Sequence, residues 1–239
     1  MIVITNEKLI KRNRLLGKIA SIASMLILGG GLFLTFKDKT GEYYLFTFMA
    51  LIAGFMLSQF GIYYGNRWGR SPRPDESLNQ MLKGLDDRFT LIHYSSPVNH
   101  LLLAPSGIWI LLPYYQGGVI TYDETKNRWK QKGGNAYLKI FGQENLGRPD
   151  MDIKYNLDDL QRALAKAHVP ADFPQPQALL VFTNKKATLE TKNTPVPALP
   201  AEKIKDFFRK SIKDKPLRPD QVEAINQAFG VTTALAKKD

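Results

Sequence analysis

Two stretches near the start of the chain carry no charge at all. Ile19 to Phe36 reads IASIASMLILGGGLFLTF, and Tyr43 to Tyr64 reads YYLFTFMALIAGFMLSQFGIYY. At roughly 18 and 22 residues, each is long enough for a helix to cross the hydrocarbon core of a bilayer. Only Lys37-Asp38-Lys39-Thr40-Gly41-Glu42 separates them, so the pattern predicts an antiparallel hairpin of two transmembrane helices. A cleaved signal peptide would account for the first run but not the second. A buried helix pair of a water-soluble protein would show a polar face on each helix, and neither run has one.

The pattern changes after the second run. Residues 65–73 are basic and proline-bearing, a juxtamembrane linker. Leu78, Met81, Leu82 and Leu85 then recur at the spacing of a helix with one buried face. Pro74-Asp75-Glu76 opens that helix, with Asp75 as the expected N-cap. Phe89–Tyr94 and Val98–Leu103 read as strands, the second closed by the turn Ala104-Pro105-Ser106-Gly107. Ile108–Leu112 is wholly apolar, which predicts a central strand covered on both faces. Val119–Tyr122 and Arg128–Lys132 follow across the turn Asp123–Asn127, and the series reads as consecutive hairpins. Residues 133–152 show no clear period beyond one helical turn at Tyr137–Phe141. A helix is predicted over Leu157–His168, with Leu157, Leu160 and Leu164 as its stripe, then a strand at Ala178–Thr183 and a helix at Ala201–Ile212. A last helix starts at Asp220, with Glu223 completing a capping box. The expected fold class is an N-terminal transmembrane α-hairpin plus an α/β (α+β) domain with a central mixed sheet flanked by helices. The division that follows is a basic N-terminal segment 1–18, a hairpin 19–64, a linker 65–73, a sheet domain 74–215, and a C-terminal helix and tail 216–239.

Charge sets the expected orientation. Lys8, Lys11, Arg12, Arg14 and Lys18 precede the hairpin and Arg67, Arg70 and Arg73 follow it, while its turn holds only Lys37 and Lys39. Cationic flanks stay in the cytoplasm, so the pattern places the chain in the cell membrane with two spans and both termini cytoplasmic. Tyr43, Tyr44, Tyr63, Tyr64 and Trp68 stand where an aromatic interface belt would be. Gly29-Gly30-Gly31 and Gly54 offer small surfaces for helix contact, either within the hairpin or between copies in a homo-oligomer. The absence of charge inside both spans argues against a channel or transporter. The net charge of +11 suits two partners, nucleic acid (DNA or RNA) and the anionic inner leaflet of the lipid bilayer. With no cysteine and only His93, His100 and His168, thiolate metal sites and cysteine nucleophiles are excluded and a multi-histidine metal site is disfavoured.

Four stretches of the second half stand in a telling order: Pro74-Asp75-Glu76 to Leu85; Val98-Asn99-His100-Leu101-Leu102-Leu103 running into Ala104-Pro105-Ser106-Gly107; Gly107 to Gly118; and Leu180-Val181-Phe182-Thr183-Asn184 followed by Ile204–Arg209. In that order they resemble the nuclease-related domain, NERD, of the restriction-endonuclease-like superfamily, over roughly Pro74 to Lys213. The resemblance implies a site where an aspartate and a glutamate hold Mg²⁺ and a lysine beside them activates water. In this chain those positions fall on Asn99, Leu112 and Tyr114, and only Glu76, on the opening helix, matches. Ile108 to Gly118 contains no Asp, Glu or Lys, so shifting the alignment restores nothing. The implied site is degenerate: no catalytic residue is assigned, and no cofactor is expected. Mg²⁺ would enter only if the ligands had migrated, for instance to Asp123, Glu124 and Lys126, whose plainer reading is a polar hairpin turn.

Other groups have plainer readings beside functional ones. Arg128, Lys130 and Lys132 share one face of a strand with Trp129 on the other, which suits either a nucleic-acid backbone or an exposed edge protected by cations. Alternation turns His100 away from the side that Asn99 faces, a packing or hydrogen-bonding role. Lys203, Lys205, Arg209, Lys210, Lys213 and Lys215 fit a solvated helix face. The expected function is a membrane-anchored cytoplasmic NERD-like domain without catalysis, acting as a nucleic-acid-binding or scaffolding module. One alternative is an active, metal-dependent, membrane-tethered nuclease with migrated residues. Another is an envelope protein using the fold only for contacts with other proteins, membrane proteins included.

Overall fold

The computed structural model describes residues 1–134, 145–167, 175–211 and 218–229. They form two units: residues 7–73, and a sheet unit built from residues 1–6 together with the chain from Pro74 onward.

The first unit is a helical hairpin. α1 (Glu7–Lys37) and α2 (Tyr44–Tyr64) run antiparallel, and α2 continues into a π-helical turn, Gly65–Gly69. Both helices are long and apolar enough to cross a membrane. Met25, Leu26, Phe33, Phe36, Leu45, Phe46 and Met56 are each more than half exposed, so the apolar side chains point outward, as lipid-facing residues do and core residues do not. Small residues let the backbones approach. A Cβ at Gly61 would lie 2.5 Å from Ser21 Oγ and 3.0 Å from the Ser21 nitrogen, and one at Gly54 would lie 2.6 Å from Leu28 Cγ. Gly31 faces Ala50, whereas Gly29 and Gly30 meet nothing within 4 Å. Part of the small-residue pattern is therefore used inside the hairpin. Asp38 closes the turn between the helices: its carboxylate accepts from the backbone N–H groups of Thr40, Gly41, Glu42 and Tyr43.

The sheet unit begins before the hairpin. β1 (Ile2–Thr5) lies parallel to β2 (Thr90–His93), pairing Ile2 with Thr90 and Thr5 with His93. After the hairpin come α3 (Pro74–Leu82), β2, β3 (His100–Ala104), β4 (Gly107–Tyr114), β5 (Gly118–Asp123), β6 (Arg128–Lys132), α4 (Pro149–Lys166), β7 (Gln177–Phe182), β8 (Ala187–Glu190), β9 (Ala198–Pro200), a 3-10 turn Ala201–Lys203, α5 (Ile204–Ser211) and α6 (Pro219–Ala228). Six strands form one mixed sheet in the order β1-β2-β3-β4-β7-β9, and three form a second in the order β6-β5-β8. In the large sheet β2, β3 and β4 are antiparallel neighbours, while β7 is parallel to both β4 and β9.

Strand alternation divides the core into two. On one face α3 and α5 place Leu78, Leu82, Ile204 and Phe208 against Leu91, Leu102, Leu111, Leu179 and Val181. On the other, α4 places Ile153, Leu160 and Leu164 against Ile92, Leu101, Leu103, Ile110 and Leu180, with Ile120 and Trp129 of the small sheet joining them. β4 sits between β3 and β7 and is covered on both sides, which is what its unbroken apolar sequence demands.

Several expectations need correction. Residues 1–18 are not a separate basic segment, since Ile2–Thr5 is a strand of the sheet and Glu7 already begins α1. β4 and β5 are not a hairpin, because they lie in different sheets. α4 starts at Pro149, inside the stretch where the sequence shows no period. α3 starts at Pro74, so Asp75 is inside the helix rather than capping it. At α6 the Gln221 side chain, not that of Glu223, accepts from a backbone N–H at the helix start, that of Arg218 (3.0 Å). C-terminal residues Ala224 and Phe229 pack on the sheet core rather than forming a separate part. Tyr137–Phe141, His168, Lys213 and Lys215 lie outside the described residues.

Candidate functional site

The positions singled out by the resemblance are distributed over β3, β4 and α3. Asn99 is exposed just before β3, and its carbonyl accepts from the Tyr94 N–H (2.9 Å). Leu112 and Tyr114 lie two apart on β4 and belong to the core on the α4 side. Glu76 is on α3, which packs on the opposite face of the sheet. The fold therefore does not gather Glu76 with Leu112 and Tyr114.

Tyr114 is firmly fixed. It is 8% exposed, its ring stacks on Phe182 with centroids 5.6 Å apart, and its hydroxyl donates to Asp152 Oδ2 at 2.7 Å. Burial, then the charges of Asp152 and Asp150, hold that hydroxyl far above the ordinary tyrosine range. It is a neutral donor and brings no positive charge. Leu112 pairs with Leu180 across the ladder and touches the same core. Asp152, on the first turn of α4, lies in the stretch whose period the sequence does not reveal, and no sequence signal marks it as the partner of Tyr114.

Two glycines that anchor the resemblance have real backbone demands. Gly107 has φ +130° in the tight β3–β4 turn. Gly118 has φ +94°, and a Cβ there would lie 2.6 Å from the Lys132 carbonyl oxygen. Both conformations disfavour any side chain.

The turn Asp123–Asn127 is already engaged. Asp123 accepts from the Thr125 N–H and hydroxyl, from the Lys126 N–H, and from Lys130 Nζ at 2.6 Å. The Lys130 ammonium, then the Thr125 hydroxyl, keep its carboxyl well below the usual range. Glu124 accepts from the Asn193 side chain (3.1 Å). Among the described residues no three His, Asp or Glu side chains come together where a metal ion could be held.

β6 shows the expected alternation: Arg128, Lys130 and Lys132 are exposed and Trp129 is buried. Register adds what sequence could not. Arg128, Lys130 and Lys132 stand opposite Asp123, Thr121 and Val119 on β5, and Thr121 in turn stands opposite Glu190 on β8. Directly paired residues share a face, so the three cations share theirs with Asp123 and Glu190. A groove of about 500 Å³ is lined by Tyr122, Glu124, Leu189, Glu190, Thr191 and Lys192, two carboxylates to one ammonium, and by none of the three cations.

One arrangement was not foreseen. His93 and His100 face each other across the β2–β3 ladder, with Nδ1 to Nδ1 at 2.8 Å and His93 Nε2 3.2 Å from Asn79 Oδ1. Both imidazoles are buried. Only one proton fits between two Nδ1 atoms at that separation, so the pair is a hydrogen-bonded unit and not two independent bases. Tyr94, next to His93, donates from its hydroxyl to Asp75 Oδ1 (3.4 Å), and the Asn6 side chain donates to the Tyr94 carbonyl (3.2 Å). The cluster thus ties the end of β1 and the start of α3 to the same hairpin. The sequence carries a partial signal, two histidines flanking Tyr-Ser-Ser-Pro-Val-Asn, but pairing needs register.

Comparisons of the chain with protein-family models, with curated proteins and with solved structures find no match.

Proposed function

We propose that the chain is a membrane-anchored domain of restriction-endonuclease-like build that has no metal-dependent cleavage and serves as a scaffolding or binding module at the cytoplasmic face. The observation that carries the reading is the state of β4. Where the resemblance calls for glutamate and lysine, Leu112 belongs to the apolar core and the hydroxyl of Tyr114 is committed to Asp152. The order α3-β2-β3-β4-β5-β6-α4-β7, with β4 and β7 parallel, supports the kinship with that superfamily. Anchoring is supported by two helices with outward apolar surfaces, and the cytoplasmic side by the cations at the two ends of the hairpin.

A second reading, nucleic-acid binding, is favoured by exposed Arg128 and Lys132 on β6. Asp123 and Glu190 on the same face weigh against it. Full-length protein in nanodiscs, incubated with single- and double-stranded DNA and Mg²⁺ or Mn²⁺, should leave both substrates intact. Cleavage abolished by Glu76→Ala would overturn the proposal in favour of an active nuclease. DNA binding that falls steeply between about 50 and 200 mM salt, and is lost in Arg128→Gln/Lys132→Gln, would make nucleic acid the partner.

A further inference from the structure

The base of the hairpin, where α1 starts and α2 ends, is strongly cationic. Lys8, Lys11, Arg12, Arg14 and Lys18 lie on α1 and Arg67, Arg70 and Arg73 lie at or beyond the end of α2, against the single acidic residue Glu7. At the opposite end Lys37 and Lys39 are balanced by Asp38 and Glu42. Retaining orientation needs only a bias in lysine and arginine; this end carries far more than a bias.

Geometry adds to the count. α1 is helical from Glu7, so Glu7–Lys18 continues the first apolar run as one rod. At 1.5 Å per residue that is about 18 Å of helix before Ile19. Ile10, Asn13, Gly17, Ala20 and Ser24 are buried along one side, and Gly17 lies against Tyr64 of α2. Lys8, Lys11, Arg12 and Lys18 are exposed on the side that turns away, continuous with exposed Leu15, Ile19, Ile22 and Leu26. A stripe that passes from ammonium and guanidinium groups into bare aliphatic side chains follows the profile of a phospholipid, phosphate above and acyl chain below. The other limb matches it: Arg67 lies 5.6 Å from the centroid of the Trp68 ring and donates to the Tyr63 hydroxyl (3.4 Å), while the Arg14 side chain donates to the Trp68 carbonyl (3.2 Å).

We infer that this base is a binding surface for anionic phospholipids, with headgroup phosphates on Lys8, Lys11, Arg12, Lys18 and Arg67 and acyl chains along Ile19, Ile22 and Leu26. The inference rests on α1 and α2 crossing the bilayer, and the experiment separates the two claims. Membranes carrying the full chain are first extracted with alkaline carbonate. Release of the protein would sink the spanning reading and the lipid site with it. Retained protein is then placed in nanodiscs of phosphatidylcholine alone or with about 30% phosphatidylglycerol, and co-purifying lipid is counted by native mass spectrometry. Near an anionic surface each cation contributes on the order of a fivefold preference, so the ratio of phosphatidylglycerol to phosphatidylcholine among bound lipids should exceed the bulk ratio at least about tenfold. Enrichment should collapse in about 1 M salt, where screening is nearly complete. It should also drop severalfold in Lys8→Gln/Lys11→Gln, which leaves six basal cations to keep orientation, and stay unchanged in Lys37→Gln/Lys39→Gln. Equal lipid shares, indifference to salt, or an equal effect of the two double variants would overturn the lipid site while leaving the anchor in place. Loss of DNA binding in Lys8→Gln/Lys11→Gln without any lipid preference would assign the surface to nucleic acid instead.

Discussion

The strand that precedes the hairpin makes a sharp prediction about which part of the chain folds alone. β1 closes one edge of the large sheet. Ile4 packs on the α4 side and Met1, the residue just before the strand, on the α3 side, and the strand is bounded by the Ile2 N–H on the Phe89 carbonyl (2.9 Å) and the Asn6 N–H on the His93 carbonyl (3.0 Å). Two half-buried apolar side chains contribute about 1 kcal/mol each, half of a full burial. The ladder and its flanking bonds add about 0.5–1.5 kcal/mol per hydrogen bond. Removing β1 should therefore cost roughly 4–6 kcal/mol, a large part of the 5–15 kcal/mol that holds a domain together. The two ends of the hairpin leave the sheet unit close together, since Asn6 and Asp75 both hydrogen-bond Tyr94. A flexible linker of about six residues, able to span some 20 Å, should join Asn6 to Pro74 without strain. The joined variant should be soluble and unfold cooperatively in urea, whereas the chain from Pro74 onward without β1 should unfold at far lower urea or aggregate through the bared edge of β2. In the full chain, Ile4→Asp should reproduce most of the loss. Equal urea midpoints for the two soluble forms would refute the placement of β1 and the reasoning built on it.

Two further outcomes follow from single contacts. Because the folded chain holds the Tyr114 hydroxyl above its ordinary range, its contribution is intact below about pH 10 and is lost above it, at about 1.4 kcal/mol per pH unit, as only the unfolded chain ionises. Tyr114→Phe should remove that slope in urea unfolding between about pH 9 and pH 11, at a cost near 1 kcal/mol at neutral pH for the missing bond; an unchanged slope would contradict the burial. Gly61→Leu should force α1 and α2 apart at Ser21 and cost about 1–3 kcal/mol, seen as a lower Tm in detergent, while Gly30→Leu, facing open space, should leave Tm unchanged. The reverse pattern would mean that the hairpin packs on its other side.

Legibility from sequence tracked how local the signal was. The two helices of the hairpin were readable because an uncharged run of that length has few other uses, and β4 because an apolar run ended by turn residues has the length of a strand. Ile2–Thr5 was not readable: four residues beside a basic segment carry no usable period, and only pairing with β2, far along the chain, makes them a strand. α4 was half legible, since Leu157, Leu160 and Leu164 mark its second half while its first turns are polar. At the candidate site the sequence gives the identities of Asn99, Leu112 and Tyr114 but not what surrounds them. That the Tyr114 hydroxyl meets Asp152, or that Asp123 and Glu190 share the face of Arg128 and Lys132, depends on register between distant segments and had no local signature.

The position of the hairpin between β1 and α3 also orders assembly in time. A chain made from its N-terminus delivers Ile2 long before Thr90, its neighbour-to-be at the start of β2. At about 5–20 residues per second the first strand waits several seconds, and everything made in the interval is the hairpin and α3. With both helices across the bilayer, β1 and β2 emerge on one side and the sheet can close. With only one helix inserted they would be stranded on opposite sides, and the sheet would lack an edge. For a hairpin that spans the bilayer, completion of the sheet would report that an even number of crossings was made.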